Sequence, residues 1–350
     1  MDRHRVTLKE IAQAANVSIG TVDRALNNRP GVNAESKARV LQIAASLGYR
    51  PNRFASALSR RSEIRICLAF PRDPEAFYRE IEAGIDRAAA ELEDYGVCVE
   101  KLRFALNDSK EALDCIHRAR EFDGAAVNAA GCMNAECLSE MGSTPLITFN
   151  TDCPTAPRAF FIGGNARQSG RVAGELMQML VNDNDPVAVL GNFARAMPFL
   201  ERFGGFFEYM HASGAGMRVE RCIECPGDAE SASASLIAAL ESSPELQGVF
   251  ATGYSSTIGA VRALKALNRR DVRLIGYDLT NETAAALGEG WCDLLLHQNP
   301  FEQGYQAARL LARRLLESWL PERRELYLDT QIVVRGNMDG LLNRRGNPFL

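Results

Sequence analysis

An arginine and three short polar side chains near the start of the chain have the chemistry needed to bind a nucleic acid. The planar guanidinium of Arg24 can donate two hydrogen bonds to the O6 and N7 acceptors of guanine. Ser18, Thr21 and Asn27 carry hydroxyl and amide groups that can donate to phosphate oxygens. These residue types can combine base reading with phosphate binding if one exposed face presents them.

Two short helices must position these side chains. Thr7 is followed three residues later by Glu10, and this capping box predicts a helix that begins at Leu8. One face of that helix carries the apolar residues Leu8, Ile11, Ala12 and Ala15. Asn16 tolerates the left-handed backbone of a tight turn, and Ser18 can cap a second helix. Two short helices joined by such a turn form a helix-turn-helix.

A third helix is predicted after Asn33, which can cap it. Its apolar residues at helical spacing are Val40, Leu41, Ala44 and Leu47. Gly48 suits the end of this helix because glycine adopts positive φ readily. The following segment, 52–59, is too short and too weakly apolar to be stable alone, so we expect it to become ordered only against a partner.

The segments VTLKEIAQAANVSIGTVDRALN (6–27) and LGYRPNRFASALS (47–59) resemble the DNA-binding headpiece and hinge of the lactose-repressor (LacI/GalR) family. By match to the family's motif, the base-reading positions are Ile19, Gly20 and Arg24. Ile19 could touch a thymine methyl, whereas Gly20 has no side chain with which to read a base. The alternative for Arg24 is a phosphate contact. The resemblance therefore implies an operator-binding protein with few direct base contacts.

Two further positions carry interpretations that depend on this resemblance. Asp23 stands where the family commonly has a hydroxyl residue. It either accepts from a cytosine amino group or pairs within the protein, and the sequence leaves both open. Leu58 matches the residue that inserts into a minor-groove base step and bends the duplex, with packing on the body as its alternative. The complete predicted DNA-binding set is Thr7, Ser18, Ile19, Gly20, Thr21, Arg24, Asn27, Tyr49, Asn52, Ala55 and Leu58.

Charge is distributed unevenly along the 350 residues, although the net charge is only −4. The first 63 residues hold 11 Lys and Arg against 5 Asp and Glu, a net charge of +6, which leaves −10 for the remainder. A basic head on an acidic body is typical of a modular DNA binder. No apolar run approaches the roughly 20 residues of a membrane helix, and no secretory signal is evident, so we predict a cytoplasmic protein without a membrane partner.

The sequence predicts neither a metal site, nor a cofactor, nor an enzyme. Nine cysteines are scattered in a chain without an export signal, which favours free thiols. Cys222 and Cys225 form a CxxC pair, but no second pair or histidine cluster accompanies them. Neither a dinucleotide-binding glycine motif nor a phosphate-binding loop occurs, and 253–257 misses the nucleophile elbow at its last position.

Strands and helices alternate through the rest of the chain. The predicted strands are 64–70, 97–104, 124–130, 145–150, 159–164, 186–191, 248–253, 272–278, 294–299 and 327–334, and the helical stretches include 77–93, 165–181, 201–213, 230–240, 256–267 and 301–319. This alternation predicts an α/β fold of parallel sheets flanked by helices. There are too many units for one sheet, so we expect two lobes with a ligand between them.

The family resemblance implies a periplasmic-binding-protein-like (type I) core after the all-α headpiece and hinge. The segments ATGYSSTIGAVRALKAL, VRLIGYDLT and LLHQNPFEQG resemble ribose-type sugar-binding proteins in their order. Chain crossings between the lobes are expected near Gly163, Leu295 and Leu326. The predicted domains are a headpiece (1–50), a hinge (51–62), an N-lobe (63–163 and 295–325), a C-lobe (164–294 and 326–340) and a tail (341–350).

Polar and aromatic residues at the predicted strand ends could bind a sugar-like effector. Carboxylates and amides hydrogen-bond hydroxyl pairs, and aromatic faces cover the apolar side of a sugar ring. The predicted set is Phe77, Tyr78, Asn150, Asp152, Arg202, Tyr254, Asp278 and Gln298. Asp278 and Arg202 are the strongest matches, and Phe77 has a core role as its alternative. The family's Asn-Asp after the 248–253 strand is here Gly253-Tyr254.

The sequence therefore predicts a transcriptional regulator that binds a pseudo-palindromic double-stranded DNA operator as a homodimer and responds to a small-molecule effector. A sugar-binding sensor or transport protein without a DNA role is the alternative, and the basic head and absent signal argue against it. The segment after Leu342, NRRGNPFL, is too short and too broken by Gly346 and Pro348 for the leucine-heptad helix of the family's tetramers.

Overall fold

The computed structural model describes residues 7–26, 30–47, 63–192, 197–214, 216, 218–225 and 227–343. The chain divides between Ser62 and Glu63 into two compact units, a small helical one and a large one. The predicted DNA-binding residues Asn27, Tyr49, Asn52, Ala55 and Leu58 lie outside the described residues. The whole predicted hinge, 51–62, lies outside them too.

The small unit contains three helices, Leu8–Ala15 (α1), Ile19–Leu26 (α2) and Ala34–Ser46 (α3). The capping box at the start of α1 is confirmed, since the Thr7 backbone N–H donates to Glu10 Oε2 at 2.7 Å and Glu10 N–H donates to Thr7 Oγ1 at 3.4 Å. Asn16 takes the left-handed conformation with φ 54°. A single apolar cluster joins the three helices through Ile11, Ala12, Ala15, Val22, Ala25, Val40 and Ala44.

The expected apolar face of α3 is only half right. Val40 and Ala44 are buried, but Leu41 and Leu47 are each 43% exposed. Val40 and Ala44 are one turn apart on the face that packs against α1 and α2. Leu41 lies roughly 100° around the helix from Val40 and so falls outside this stripe, whereas Leu47 is the C-cap residue beyond the last turn. Helical spacing therefore drew the stripe too wide at Leu41 and too long at Leu47.

The large unit consists of two lobes, each a six-stranded sheet covered by helices. The first lobe contains β1 (Ile64–Pro71), α4 (Glu75–Glu93), β2 (Val97–Phe104), α5 (Ser109–Ala119), β3 (Gly124–Val127), α6 (Ala135–Ser139), β4 (Leu146–Phe149), β5 (Phe161–Gly164), α12 (Pro300–Glu317) and β11 (Glu325–Leu328). The second contains α7 (Ala166–Leu180), β6 (Pro186–Gly191), α8 (Met197–Ser213), β7 (Arg218–Glu224), α9 (Ala229–Ser242), β8 (Gly248–Ala251), α10 (Tyr254–Ala266), β9 (Arg273–Tyr277), α11 (Asn281–Gly288), β10 (Leu294–His297), β12 (Gln331–Val333) and α13 (Arg335–Asn343). The predicted fold class is confirmed.

The two sheets have the same plan. Their strand orders are β2-β1-β3-β4-β5-β11 and β7-β6-β8-β9-β10-β12. Every pairing is parallel except that of β12, which runs antiparallel to β10. Each sheet has one apolar cluster on each face, as parallel sheets require. Of the predicted polar residues, Asn150, Asp278 and Gln298 directly follow parallel strands, at the carboxyl ends where ligands bind in such sheets.

The chain crosses between the lobes three times, and each crossing lies within a few residues of the expected point. The first crossing follows β5, near the expected Gly163. Leu295 pairs within the second sheet, so the second crossing follows His297. Leu326 pairs with Ile162 in the first sheet, so the third crossing follows Leu328. The predicted single strand 327–334 is in fact two strands in different sheets, because the apolar run gives no sign of the lobe change at 329–330.

Several elements were absent from the sequence prediction. Strand β7 was missed because it is an edge strand in which only Ile223 is buried, so it lacks an apolar signature. Helices α5, α11 and α13 were missed as well. Among the described residues, no helix is long and apolar enough to cross a membrane.

Helices α7 and α8 approach each other closely enough to fix the side chains that α8 presents. A Cβ at Gly170 would lie 2.0 Å from the Arg202 carbonyl oxygen, and one at Gly205 would lie 2.0 Å from the Arg167 carbonyl oxygen. Glycine on each helix therefore permits the backbones to touch. The backbone of Arg202 is held against the second lobe by this contact.

Candidate nucleic-acid interface and ligand cleft

Helix α2 presents an exposed face that carries the predicted base-reading residues. Val22 and Ala25 are buried against the other helices of the small unit. Ser18, Gly20 and Arg24 are exposed, and so is Ile19, at 50%. Helical geometry thus places the predicted readers on the side opposite the core, as a recognition helix requires.

The caps on this unit account for some of the polar residues. Ser18 Oγ accepts from the Thr21 backbone N–H at 3.1 Å and lies 2.9 Å from Thr21 Oγ1. Thr7 Oγ1 takes part in the α1 capping box. These hydroxyls fix the helix starts while remaining exposed.

Arg24 lies along the surface of α2. Its Nη1 donates to the Gly31 carbonyl oxygen at 3.5 Å, which is at the long limit of a hydrogen bond, so little holds the guanidinium there. A Cβ at Gly20 would lie 3.5 Å from Arg24 Nη2. The absence of a side chain at residue 20 thus leaves the neighbouring space to Arg24.

In the large unit, three predicted ligand residues form one cluster at the strand ends of the second lobe. Arg202 Nη2 donates to Gln298 Oε1 at 3.0 Å, and Gln298 Nε2 donates to Asp278 Oδ2 at 3.1 Å. Arg202 Nη1 also donates to the Thr252 carbonyl oxygen at 2.6 Å. The guanidinium lies 3.9 Å from the centroid of the Tyr277 ring, a cation–π contact. Asp278 and Arg202 are therefore brought together, with Gln298 as the bridge between them.

The first lobe contributes amides and a phenol. Asn128 Nδ2 donates to Asn150 Oδ1 at 2.9 Å. Burial raises the pKa of the Tyr78 hydroxyl, and the negative charge of Asp278 raises it further. The Asn128 side chain and the positive charge of Arg103 oppose this shift. Tyr78 therefore keeps its proton at neutral pH.

Two buried polar atoms of the cleft have no hydrogen-bond partner within the described part of the chain. They are the Nε of Arg202, a donor, and the Oδ1 of Asn128, an acceptor. Arg202 is 4% exposed and Asn128 is fully buried. An unmade buried hydrogen bond costs roughly 1–3 kcal/mol, so such atoms are suited to contacts that a ligand completes.

A cavity of about 400 Å³ opens between the lobes beside this cluster. Its wall contains Asn150, Arg202 and Gln298 from the cluster, and Glu201 and Tyr327 from the two sides. Burial raises the pKa of the Glu201 carboxyl, as does the charge of Asp152, whereas Arg167 and Arg202 oppose the shift. The volume is within the usual range for small-molecule sites.

Backbone conformation marks the same region. Asn150 and Asp278, each directly after a strand, have φ values of 60° and 64°. Asn299, at the second crossing, has φ 51°. Non-glycine residues in this left-handed region are uncommon, although Asn and Asp tolerate it best, and such residues cluster at ligand sites.

Three of the predicted ligand residues do not join the cluster. Phe77 packs in the core of the first lobe, with its ring 5.1 Å from that of Tyr78. Asp152 lines the cavity between the lobes, but its carboxylate forms an ion pair with Arg158 at 2.6 Å instead of contacting the cluster. Tyr254 donates to Glu282 Oε2 at 3.2 Å near the surface.

Sequence reasoning missed Asn128, Glu201 and Gln303. Asn128 follows the apolar strand β3 and could have been found by the signal that identified Asn150 and Asp278, a polar residue that ends a buried strand. Gln303 accepts from Asn150 Nδ2 at 2.9 Å and donates to the Gln298 carbonyl oxygen at 2.7 Å. No local pattern distinguishes this glutamine from the others of α12, because both of its partners are distant in sequence or belong to the crossing.

No group of His, Cys, Asp or Glu within the described ranges could hold a metal ion. The nine cysteines are free thiols. Burial raises the pKa of Cys225 and Cys222, the two thiols of the CxxC pair.

Comparison with known proteins identifies both units. Residues 7–52 match the family described as bacterial regulatory proteins, lacI family, and residues 66–317 match the periplasmic binding protein domain. The HTH-type transcriptional regulator CelR of Thermobifida fusca is 25% identical over 352 residues, covering 95% of this chain and 98% of CelR. A ribose operon repressor of Bacillus subtilis (strain 168) is 26% identical and covers 87% of this chain and 90% of its own.

Solved structures agree with the fold. GanP, a glucose-galactose binding protein from Geobacillus stearothermophilus, has a TM-score of 0.72 at 22% identity, covering 79% of this chain and 99% of GanP. At this identity the likeness shows the two-lobed fold alone. The chain therefore belongs to the periplasmic binding protein domain family over most of its length, carries a lacI-family helix-turn-helix domain at its N-terminus, and is a DNA-binding transcriptional regulator.

Proposed function

We propose that this regulator is a homodimeric repressor whose cleft binds a sugar or sugar derivative and whose two helix-turn-helix units bind the half-sites of a pseudo-palindromic operator. Effector binding changes the closure of the two lobes and thereby the operator affinity of the dimer. The two steps of this proposal use different surfaces of the molecule.

The observation that carries the effector proposal is the polar cluster at the strand ends. The Asp278 carboxylate accepts hydrogen bonds and the Arg202 guanidinium donates them, while Gln298 holds both. Adjacent hydroxyl groups of a sugar both donate and accept, so a vicinal diol can satisfy the two residues together. The unpartnered Arg202 Nε and Asn128 Oδ1 add one donor and one acceptor, the pattern that a polyol completes.

The relatives support this ligand class. Among them are two ribose operon repressors, and the structures of similar fold include sugar-binding proteins solved with D-arabinose and with alpha-D-tagatopyranose. The cavity of about 400 Å³ would hold a monosaccharide. A sugar is therefore the ligand class that both the chemistry and the comparisons favour.

The DNA proposal rests on α2. One exposed recognition helix covers one half-site, and a pseudo-palindrome needs two related by two-fold symmetry. Arg24 is the long cationic side chain on the exposed face of that helix, and we assign it a bidentate contact with guanine. Ser18 and Thr21 are assigned to phosphate oxygens.

A thermal-shift screen of the full chain tests the effector class. D-ribose, D-arabinose, D-galactose, D-tagatose, D-galacturonate and cellobiose form the test panel, and adenine and uracil form the control panel. A ligand that binds only the folded state raises the free energy of unfolding, by about 2.7 kcal/mol at one hundred times its dissociation constant. We expect at least one sugar to raise Tm in a concentration-dependent manner. Stabilisation by a nucleobase alone, or by no sugar at all, would contradict the proposal.

A further inference from the structure

Gln303 connects the amide groups of the first lobe to the cluster of the second. It is fully buried in the first turn of α12, directly after the second crossing. Its Oε1 accepts from Asn150 Nδ2 at 2.9 Å, and its Nε2 donates to the Gln298 carbonyl oxygen at 2.7 Å. Gln298 in turn contacts Arg202 and Asp278 through its side chain. A continuous set of hydrogen bonds therefore runs from Asn128 to Asp278, and we call it the amide relay.

The direction of the three relay bonds between Asn128 and the Gln298 backbone follows from one group. The Gln298 carbonyl oxygen is a backbone acceptor and cannot donate. Gln303 must therefore turn its NH₂ group toward this carbonyl, which leaves its Oε1 as the acceptor for Asn150. Asn150 must donate from Nδ2, so its Oδ1 accepts from Asn128 Nδ2. The amide of Asn128 is then fixed with its oxygen left over.

This fixed polarity explains the unpartnered acceptor. Asn128 Oδ1 is the buried atom without a hydrogen-bond partner in the described part of the first-lobe cluster. A terminal amide that could turn over would present either a donor or an acceptor. Because the relay prevents this amide from turning over, Asn128 presents an acceptor, and only a ligand group that donates a hydrogen bond can satisfy it.

We propose that Gln303 is a specificity-determining positioning residue, which does not touch the effector but fixes the amide polarity of the first lobe so that Asn128 requires a hydroxyl donor. This inference rests on the proposed function, since it concerns the same cleft and a sugar-like ligand. It goes further by assigning a hydrogen-bond donor at one point of that ligand and by naming the buried residue that enforces it.

The test variant is Gln303→Met, which retains length and helix preference but removes both hydrogen bonds. Gln306→Met is the matched control, because Gln306 lies three residues further along α12 and its Nε2 donates only to Glu302 Oε1, at 2.6 Å. Gln303→Asn, which retains an amide but shortens its reach by one methylene, is a second variant in case the methionine destabilises the fold. Circular dichroism and Tm establish that each variant is folded.

The specificity arm uses the tightest-binding sugar of the screen and its mono-deoxyfluoro analogues, in which fluorine replaces one hydroxyl and cannot donate. Titration calorimetry gives the ratio of dissociation constants for each analogue. In wild type we expect one analogue to bind roughly tenfold to hundredfold more weakly than the parent sugar, because it leaves the Asn128 acceptor unpaired. In Gln303→Met this ratio should fall at least threefold, and in Gln306→Met it should not change. An unchanged analogue profile in both Gln303 variants overturns the inference.

A second arm needs no ligand and separates this inference from the proposed function. Hydrogen exchange is followed by mass spectrometry in the segments 146–152 and 296–300, one on each side of the relay. Loss of the relay should make the backbone amides of both segments exchange roughly fivefold to hundredfold faster in Gln303→Met than in Gln306→Met. If exchange is faster in Gln303→Met but wild type binds no sugar, the relay is supported and the sugar effector is rejected. Unchanged exchange in the two segments would reject the relay itself.

Discussion

The recognition helix and the ligand cleft present their polar residues in opposite ways. On α2, Ser18, Ile19, Gly20 and Arg24 are exposed and lie within seven consecutive residues. In the cleft, Asn128, Asn150, Arg202, Asp278 and Gln298 are distributed over 171 positions of the chain and most are buried. Local spacing along one helix places the residues of the α2 face. The cleft residues lie on separate elements of the chain, and only the fold brings them together.

The difference has an energetic consequence. A residue exposed on α2 has few neighbours in the free protein, so its replacement should affect DNA binding and leave folding nearly unchanged. The residues of the amide relay and its cluster share hydrogen-bond partners. Replacing one of them should therefore affect ligand binding and stability together, and should change how much the neighbouring residues contribute to both.

The largest effect is expected at Asp278. Asp278→Ala should weaken binding of the sugar found in the thermal-shift screen by roughly tenfold to thousandfold, because it removes the acceptor and leaves Gln298 Nε2 without its partner. The variant should also unfold at a lower temperature, since alanine is disfavoured at the observed φ of 64°. Titration calorimetry and thermal unfolding measure the two effects.

Two controls accompany this variant. Asp278→Asn tolerates the left-handed backbone and should recover part of the lost stability while binding remains weak. Asp271→Ala removes an exposed carboxylate of the same lobe that pairs with Arg269 and should change neither quantity. If Asp278→Ala binds the sugar as wild type does, the ligand lies elsewhere.

The second effect concerns Arg24. Arg24→Ala should reduce operator affinity by roughly tenfold to hundredfold while reducing affinity for random DNA far less, because the lost contact is to a base. Competition gel shifts at constant salt with operator and random duplexes give both values. Arg39→Ala, on the exposed surface of α3, is the matched control and should change the two affinities equally or not at all. Equal losses in Arg24→Ala would indicate a phosphate contact.

The smallest effect is expected at Ile19. Because this side chain is already half exposed, Ile19→Ala should change the free energy of unfolding by less than about 0.5 kcal/mol. Loss of a thymine-methyl contact should still reduce operator affinity by a few-fold. Val22→Ala, on the buried side of the same helix, should show the opposite pattern, with a clear loss in the free energy of unfolding and no direct loss of a base contact. Denaturant unfolding and operator titration of both variants measure these effects. If Ile19→Ala proved more destabilising than Val22→Ala, the contrast between the exposed and buried sides of α2 would be wrong.

The sequence predicted most of what is local. The capping box of Thr7 and Glu10, the turn at Asn16 and the start of α2 at Ile19 depend on residues within a few positions of one another, and the structure has them. The buried parallel strands were predictable for the same reason, since they are largely apolar runs between turn residues, whereas the exposed edge strand β7 was missed. Periodicity failed at Leu41 because it does not specify how wide the buried stripe of a helix is, and at Leu47 because it does not specify where the helix ends.

What the sequence could not supply is the pairing between distant segments. The strand 327–334 was predicted whole because nothing in its sequence shows that Tyr327 pairs with Gly163 in one sheet while Ile332 pairs with Leu296 in the other. Asn128 and Gln303 were missed because their significance lies in bonds to Asn150 and Gln298. Asp152 was selected as a free strand-end carboxylate, but its ion pair with Arg158 becomes visible only in three dimensions.

The triple crossing also constrains how the protein is made. Helix α12 covers a face of the first lobe, where Leu311 joins the cluster of Ile81 and Ile85, and β11 completes the sheet at the edge of β5. During synthesis the ribosome must add the entire second lobe, from 166 to 297, before either element exists. At typical elongation rates this delay is on the order of ten seconds, during which the apolar face of the first lobe stays uncovered. The interval is a window in which a nascent chain of this design needs protection from aggregation.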